Sequence, residues 1–406
     1  MKPKIRFKGF KEEWESAKIR DFSTSFSGGT PSVGIAKYYG GNIPFIRSGE
    51  IHNNKTELFL TELGLANSSA KIVEKGTLLY ALYGATSGDV TISQIRGAIN
   101  QAILALYPNN KIKKEFLAHF LCSKKTRIIS ELLQGGQGNL SGTLVKGITV
   151  IYPQIKEQES IADCLNSLDA QISASISHLA SLKQIKAASL QAMFPQKGET
   201  MPKVRFKGFE GEWENAVIGE IGQTYSGLSG KVKEDFGIGE SRYITFLNVL
   251  TNPQIDINKF ERVIIKESEH QNKVQKGDLF FNTSSETPEE VGMCSVLEKE
   301  VNNVYLNSFC FGFRLNDNNI YPSYIAYLMR SDIGRHTMAI LAQGATRYNL
   351  SKNNFCKIEI PVPTNIREQQ TIADFFTNLD LQISLHAKRL EKLKHIKAAC
   401  LEKMFV

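Results

Sequence analysis

The chain repeats itself, and this internal duplication limits its fold more than any other feature. Residues 3–14 (PKIRFKGFKEEW) return as residues 202–213 (PKVRFKGFEGEW), with 9 of 12 positions identical. Residues 155–194 align without gaps to residues 366–405, with 21 of 40 positions identical. Because two such matches do not arise by chance, we infer a tandem duplication with a period of about 200 residues.

The segments between the copied blocks have diverged, and only traces of them align. KGTLLYALYGATSGDV (75–90) corresponds to KGDLFFNTSSETPEEV (276–291). A glutamine followed by Asn-Leu-Ser recurs in the segments 134–141 and 343–351. Each half therefore has a variable globular part of about 140 residues and a nearly copied tail. A shared scaffold with a diverged insert is expected of two modules that read different ligands.

The tails are predicted to be long amphipathic helices. Their apolar residues recur every three or four positions, a narrow stripe typical of the seam of a helix pair. The stripe consists of Ile161, Leu165, Leu168, Ile172, Ile176, Leu179 and Leu182 in the first tail, and of Ile372, Phe376, Leu379, Ile383, Ala387, Leu390 and Leu393 in the second. Each tail follows a proline and carries Glu and Gln in its first turns, where the helix dipole favours acid. At about 1.5 Å per residue, each rod would be about 60 Å long.

The globular parts have the pattern of mixed α/β domains with short strands. Strands are predicted at 43–46, 77–80, 102–107 and 309–315, and helices at 115–133 and 321–341. The fold class is therefore α+β, with two pseudo-repeated mixed α/β domains separated by two long coiled-coil helices. The predicted division is 1–150 for the first domain, 151–200 for the first helix and linker, 201–360 for the second domain, and 361–406 for the second helix.

Composition favours a soluble protein with a polyanionic partner. Hydrophobic residues make up 42% and charged residues 22%, the balance of a globular protein. No run approaches the roughly 18 apolar residues of a membrane span, and the N-terminus lacks the apolar core of a signal peptide, so we expect a cytoplasmic protein. The net charge of +8 favours nucleic acid as partner. Six scattered cysteines without a CxxC pair indicate reduced thiols and no metal site.

Enzyme motifs are absent from the sequence. It contains no GxxxxGK[ST] loop, no GxGxxG that opens a helix, no HExxH and no deaminase pattern. The Asn-Pro-Pro-aromatic tetrapeptide of adenine methyltransferases is also missing, since Asn42-Ile43-Pro44-Phe45 does not match it. These absences favour a binding protein, which needs no cofactor of its own.

Polar loops at corresponding places in the two halves are the candidate DNA-binding segments. Gln and Asn can bond adenine, Arg can bond guanine, and glycine lets the backbone approach closely. The candidates are Tyr83, Thr86, Ser87, Gln134, Gln137 and Asn139 in the first half, and Asn282, Thr283, Ser284, Ser285, Thr287, Gln343, Thr346, Arg347, Tyr348 and Asn349 in the second. Plain flexible loops or surface turns are the alternative. The block Arg6-Phe7-Lys8 and its copy at 205–207 would either touch phosphates or pack the domain onto the rod.

With these features together, the chain resembles the specificity subunit of type I restriction-modification enzymes over essentially its whole length. The resemblance rests on SGGTPS (27–32) with IPFI (43–46), on KGTLLY and KGDLFF, and on the tails IKEQESIAD (155–163) and IREQQTIAD (366–374). The two loops at 134–139 and 343–349 differ in sequence, so base contacts cannot be copied from one half to the other.

The resemblance implies a non-catalytic subunit with two target recognition domains held apart by two long antiparallel coiled-coil helices. Such a subunit reads an asymmetric, split sequence in double-stranded DNA. The resemblance also implies binding to two methyltransferase subunits through the helix seam, and through them to restriction subunits. S-adenosylmethionine, ATP and magnesium are then expected only in those partners. A DNA methyltransferase or nuclease with an unrecognised active site is one alternative, and a structural coiled-coil scaffold is another.

Overall fold

The computed structural model describes residues 2–132, 139–344 and 347–406, and divides into two compact units. Unit 1 consists of Met1–Ile176 and Lys388–Val406, and unit 2 consists of Ser177–Ala387. Both divisions lie inside long helices. Each unit therefore contains one globular part together with a portion of both tails, which differs from the four consecutive segments predicted from the sequence.

The first globular part is built from short strands and a few helices. The strands are β1 (Glu15–Lys18), β2 (Ser23–Ser27), β3 (Tyr39–Ile46), β4 (Phe59–Leu60), β5 (Lys71–Val73), β6 (Leu78–Ala81), β7 (Val90–Ile92), β8 (Gly97–Ile99), β9 (Ile103–Pro108) and β10 (Thr149–Tyr152). The helices are α1 (Ile19–Phe22), α2 (Glu62–Ala66), α3 (Lys114–Leu132) and α4 (Gly142–Gly147), followed by the long α5 (Ile155–Ala192). The sheets have the orders β2-β9-β6-β7 and β4-β3-β8-β5, and β1 pairs with β10. All four side chains of β6 are buried, as its uninterrupted apolar sequence requires.

The second globular part repeats this plan. Its strands are β11 (Trp213–Val217), β12 (Gly222–Ser226), β13 (Phe236–Ile244), β14 (Phe260–Val263), β15 (Leu279–Asn282), β16 (Ser284–Ser285), β17 (Cys294–Val296), β18 (Val304–Leu306), β19 (Cys310–Leu315), β20 (Tyr348–Asn349) and β21 (Glu359–Pro363). Its helices are α6 (Ile218–Ile221), α7 (Phe246–Thr251), α8 (Pro322–Leu328), α9 (Asp332–Leu341), α10 (Lys352–Phe355) and the long α11 (Ile366–Lys403). The order β12-β19-β15-β17 matches that of β2-β9-β6-β7, and the parallel pair β13-β18 matches β3-β8. The predicted pair of repeated mixed α/β domains is confirmed.

One predicted helix is wrong. The segment 321–341 forms two helices, α8 and α9, rather than one. Ser331 ends the first and caps the second, because its hydroxyl donates to the carbonyl of Leu328 at 2.6 Å and accepts from the amide of Gly334 at 3.5 Å. A side chain on Gly334 would collide with that same carbonyl, so the close approach of the two helices requires glycine there.

The two long helices have the predicted extent, 38 residues each, or about 57 Å. In unit 2, His178 of α5 lies beside His386 of α11, with ring centroids 4.4 Å apart. Further along α5, Lys186 forms an ion pair with Asp380. Since the position on α11 decreases as the position on α5 increases, the two helix portions of this unit run antiparallel, as expected.

Each unit also contains the end of one tail in its hydrophobic core. In unit 1 the ring of Phe405 packs against Phe116, with centroids 5.4 Å apart. In unit 2 the ring of Phe194 packs against Tyr324 at 5.7 Å. Phe194 and Phe405 occupy matched positions of the two copied tails. The first globular part is therefore completed by the second tail, and the second globular part by the first tail.

The copied N-terminal blocks attach to the long helices through buried ion pairs. Arg6 donates two hydrogen bonds, of 2.6 and 2.7 Å, to the carboxylate of Glu157, and Arg205 makes the same two bonds to Glu368. Both carboxylates are buried, and the neighbouring carboxylate raises the pKa of each arginine. The sequence left two interpretations of this block open, contact with phosphates and packing against the long helix. These contacts support packing against the long helix.

The copied glutamines of the tails make a second repeated attachment. The side-chain oxygen of Gln158 accepts from the amide of Lys113, and its nitrogen donates to the carbonyls of Lys111 and Pro153. Gln369 makes the three matching bonds, each of 2.8 to 2.9 Å, in the second unit. Both glutamines are buried. The Glu-Gln motif therefore anchors the globular part to the helix in each unit, beyond any interaction with the helix dipole.

Candidate DNA interface

In unit 1, the end of the central strand β6 meets the segment that follows α3. Tyr83 and Asn139 form an antiparallel bridge, and the amide of Leu140 donates to the carbonyl of Leu82 at 2.8 Å. The Tyr83 hydroxyl donates to the carbonyl of Gln101 at 2.7 Å. These bonds bring together two polar segments that lie more than 50 positions apart in the sequence.

In unit 2, the corresponding segments meet in the same way. Strand β16 pairs with β20, with Ser284 opposite Asn349 and Ser285 opposite Tyr348. The amide of Leu350 donates to the carbonyl of Thr283 at 2.8 Å, which repeats the bond between Leu140 and Leu82 in unit 1. The two polar loops that the sequence singles out in each half are therefore adjacent in each unit.

The candidate residues differ in exposure. Asn139, Thr287, Gln343, Arg347 and Asn349 are exposed, and Tyr83, Thr86, Thr283 and Tyr348 are partly exposed. Gln343 and Asn349 hold the base of the second loop, because each backbone amide donates to the other residue's carbonyl at 2.8 to 3.0 Å. Gln134, Gln137 and Thr346 lie outside the described residues.

Asn282 is buried, which corrects the expectation that its side chain faces DNA. Its amide nitrogen donates to the carbonyl of Glu290 at 2.8 Å, and its oxygen accepts from the amide of Met293 at 2.6 Å. A buried amide with both ends bonded to backbone supports the loop and has no group left to offer a ligand.

Three serines among the candidates are buried as well. Ser87 donates to the carbonyl of Leu82 at 3.0 Å, and Ser285 donates to the carboxylate of Glu290 at 2.9 Å. Ser284 is paired through its backbone in β16 and is also buried. As placed, these three side chains lie inside the loops, so direct DNA contact by them is not supported.

The sequence missed Gln101 and Thr30, which lie at the same surface of unit 1. The Thr30 hydroxyl donates to the side-chain oxygen of Gln101 at 2.5 Å, and the carbonyl of Gln101 accepts from Tyr83. Gln101 is exposed. Thr30 belongs to the SGGTPS segment, one of the motifs on which the family resemblance rests. Its place beside Gln101 and Tyr83 depends on the fold and could not be read from the motif.

Cationic and anionic residues both occur close in sequence to the second loop or to its paired strand β16. Arg347 is exposed, and Lys352 donates to the hydroxyl of Ser226 at 2.8 Å. Glu289 is exposed in the turn Pro288–Glu290 that follows β16. A carboxylate repels phosphates but can accept a hydrogen bond from the amino group of cytosine.

The helix seam residues lie mostly inside the two units. Ile161, Leu165, Ile372, Phe376, Leu379 and Leu390 are buried, whereas Leu168, Ile172, Leu179 and Ile383 are half-buried. Ile161 and Leu165 belong to the core of unit 1, and Phe376 belongs to that of unit 2. The stripe is therefore shared between helix pairing and attachment to the globular parts. Ile176 is half exposed, unlike its neighbours in the stripe.

Among the described residues, no cluster of His, Cys, Asp and Glu is arranged to hold a metal ion. No helix in the described part of the chain is long and apolar enough to cross a membrane. The six cysteines are free thiols, and burial raises the pKa of Cys294 and Cys310.

The repeated mixed α/β fold brings polar strand ends and loops together in each of the two units. The family model of the type I restriction modification DNA specificity domain matches residues 11–186 and again residues 210–395. The chain belongs to this family. It is a DNA-recognition subunit of a type I restriction-modification system, and the catalytic activities of such systems reside in other subunits.

Curated relatives and solved structures agree with this membership. The chain is 19% identical to the MjaVIII specificity subunit of Methanocaldococcus jannaschii, over 95% of this chain and 90% of that protein. It is 26% identical to the EcoKI specificity subunit of Escherichia coli K12, over 80% and 73%. A match to the MjaIX specificity subunit is 30% identical but spans only 39% of this chain and 38% of the relative. The fold is similar to the crystal structure of the S subunit from M. genitalium, with a TM-score of 0.63, 17% identity and coverage of 100% and 99%.

Proposed function

We propose that the chain reads an asymmetric, bipartite DNA target, with one half-site contacted by each unit. The observation that carries this proposal is a shared arrangement with different side chains. Both units join the end of their central strand to the later polar segment through the same backbone bond, Leu140 to Leu82 and Leu350 to Thr283. Bases are distinguished by the donors, acceptors and methyl groups at their edges. Two units with the same backbone arrangement but different loop side chains are therefore suited to two different half-sites.

The exposed and partly exposed members of the two loop pairs would make the base contacts. In unit 1 these are Tyr83, Thr86 and Asn139, and in unit 2 they are Thr283, Thr287, Gln343, Arg347, Tyr348 and Asn349. Gln134, Gln137 and Thr346, which lie outside the described residues, are proposed with them from the sequence alone. Arg347 has the donor geometry for guanine, and the amides of Asn139, Gln343 and Asn349 have that for adenine. Part of the net charge of +8 would neutralise phosphates, which fixes position without reading sequence.

A copied apolar surface supports the docking of two identical methyltransferase subunits. In unit 1, Ile5 of the N-terminal block and Ile396 of α11 are both close to half exposed. In unit 2, Val204 and Ile185 are the copied counterparts, and they are exposed to a similar degree. Ile185 and Val204 line one groove of about 420 Å³. Equal apolar surfaces on diverged domains are expected where two copies of one partner bind.

The partners would supply the chemistry. We propose that restriction subunits join through the bound methyltransferases, and that S-adenosylmethionine, ATP and magnesium are held by those partners. The methylated adenine would be flipped out of the duplex into the partner. We propose that the assembled complex recognises and methylates DNA in the cytoplasm.

The proposal is tested by co-expression of the chain with its cognate methyltransferase subunit in a host that lacks adenine methylation, followed by genome-wide mapping of methylated adenines. We expect one split, asymmetric sequence with a fixed unread gap. A continuous or palindromic motif would contradict two different readers, and so would methylation without sequence preference. Omission of the chain is the control, and it should abolish the motif.

A further inference from the structure

Phe309 and Ala102 occupy the same place in the two units. The carbonyl of Ala102 accepts from the amide of Leu82 at 2.8 Å, and the carbonyl of Phe309 accepts from the amide of Thr283 at 2.9 Å. The amides of Ala102 and Phe309 donate to the side-chain oxygens of asparagines two positions earlier, Asn100 and Asn307. The backbone is thus held in the same way, but Ala102 is 5% exposed and Phe309 is 56% exposed.

The backbone that carries Phe309 is tied down on both sides. Asn307 is buried, accepts from the Phe309 amide at 2.9 Å and donates to the carbonyl of Ile244 at 3.1 Å. The Thr283 hydroxyl adds a second bond to the Phe309 carbonyl, at 2.8 Å. An exposed aromatic ring loses the favourable free energy of apolar burial. Here the exposed ring is attached to a backbone that hydrogen bonds hold in place, and not to a loose loop. That combination is typical of a preorganised contact residue.

The backbone of Phe309 is linked through Thr283 to the polar candidates of unit 2. The carbonyl of Thr283 accepts a hydrogen bond from the amide of Leu350. Thr283, which is bonded to Phe309, is therefore also bonded to the end of the loop that carries Arg347 and Asn349. Polar groups of these types read base edges in the major groove. The apolar group that a base pair presents there is the C5-methyl of thymine.

We propose that Phe309 is a specificity-determining residue that contacts a thymine methyl group in the half-site read by unit 2. This inference rests on the proposed function of the two units as DNA readers. In unit 1, the buried Ala102 offers no such ring, and the exposed amide of Gln101 beside it presents a donor and an acceptor instead. The matched backbone position therefore carries an exposed apolar ring in unit 2 and only a buried methyl group in unit 1.

The test uses the complex of the chain with its methyltransferase subunit, on duplexes that carry the mapped target. Each thymine of the half-site read by unit 2 is replaced singly by uracil, which removes only the methyl group. At one position, we expect binding of the wild-type complex to weaken about four-fold, the factor for one buried methyl group. The Phe309→Ala complex should bind the thymine and uracil duplexes equally.

Leu385→Ala is the matched control, because Leu385 is also 56% exposed and lies in unit 2 on α11. It should keep the full discrimination between thymine and uracil. Since the ring of Phe309 is exposed, the variant should unfold at the same temperature as the wild type, which separates contact from folding.

The outcomes separate this inference from the proposed function. If the wild-type complex selects a split sequence and Phe309→Ala retains its thymine preference, the inference is overturned and the proposed function stands. Loss of protein-induced DNA bending in Phe309→Ala, with no uracil effect in the wild type, would identify a wedge between base steps and overturn the methyl contact. If the wild-type complex selects no sequence, the proposed function itself fails.

Discussion

Arg6 and Glu157 lie 151 positions apart in the sequence and meet in a two-point ion pair with distances of 2.6 and 2.7 Å. The Glu157 side chain has no exposed surface, and that of Arg6 has 13%. Arg6 also donates to the carbonyl of Glu12 at 2.7 Å. One arginine therefore joins the N-terminal block to the first turn of the long helix.

Removal of this arginine should destabilise unit 1. Arg6→Ala leaves the Glu157 carboxylate buried without a partner, which costs about 3–5 kcal/mol of unfolding free energy. The double variant with Glu157→Gln should recover a large part, since the remaining group is neutral. Arg127→Ala is the control, because its ion pair with Glu131 is exposed and contributes less than about 1 kcal/mol. Urea unfolding measures all four proteins, and equal losses for Arg6→Ala and Arg127→Ala would contradict a buried pair.

Stability should decrease in mild acid through His119. Burial lowers the pKa of this imidazole, while Asn166, whose side-chain oxygen lies 2.9 Å from Nε2, opposes that shift. Asp169 and Glu115 also raise the pKa, and Lys397 lowers it. Because the folded pKa lies below the unfolded value of about 6.5, the unfolded chain binds the proton first as pH falls. The contribution is present above about pH 6.5 and is lost as the pH falls towards the folded pKa.

The His119→Gln variant isolates this contribution. Its unfolding free energy should fall less than that of the wild type between about pH 7 and about pH 5, whatever its absolute stability. Urea midpoints at several pH values give the two slopes. Parallel curves for variant and wild type would show that His119 does not titrate with unfolding in this range.

The helix seam should control assembly, with unequal sensitivity in the two units. Leu379 is buried in the core of unit 2, whereas its counterpart Leu168 is half-buried at the edge of the core of unit 1. Polar substitution of both residues should release the helix pairs and abolish binding of methyltransferase subunits. Leu379→Ala alone should cost about 2–5 kcal/mol, and Leu168→Ala less. Light scattering of the mixture with the methyltransferase follows assembly, and normal complexes with the double polar variant would contradict the seam.

Specificity should be modular. Residues 19–148 form the part of unit 1 that lies between the paired strands β1 and β10, so exchange at these limits keeps that strand pair intact. Replacement by the matching segment of a related subunit should change one half-site and leave the other unchanged. Methylation mapping reads both half-sites at once. A change in both would show that the units do not read independently.

Some features of the fold and of the candidate site could be predicted from the sequence, and others could not. The long helices and the repeated domains were predictable, because copied residues align and apolar spacing reports local structure. The bridge between Tyr83 and Asn139 was not, since it depends on strand pairing across more than 50 positions. Asn282 has the composition of a surface loop, yet the fold buries it and bonds both ends of its amide. Polarity alone does not distinguish a loop's exposed tip from its internal support.

Arg347 should discriminate between bases rather than hold the backbone of DNA. It is exposed and directly precedes Tyr348, the first residue of β20, so the loop that carries it ends in the strand pair of β16 and β20. Loss of a bidentate contact to guanine costs about 1–3 kcal/mol of discrimination, whereas loss of a phosphate contact weakens all sequences alike and lowers the salt slope by about one. The partner-assembled Arg347→Ala complex should therefore lose affinity for the cognate duplex and little for a scrambled one across a salt series. Equal weakening on both duplexes with a shallower slope would make Arg347 a phosphate clamp, and unchanged affinity for both would remove this loop from the interface.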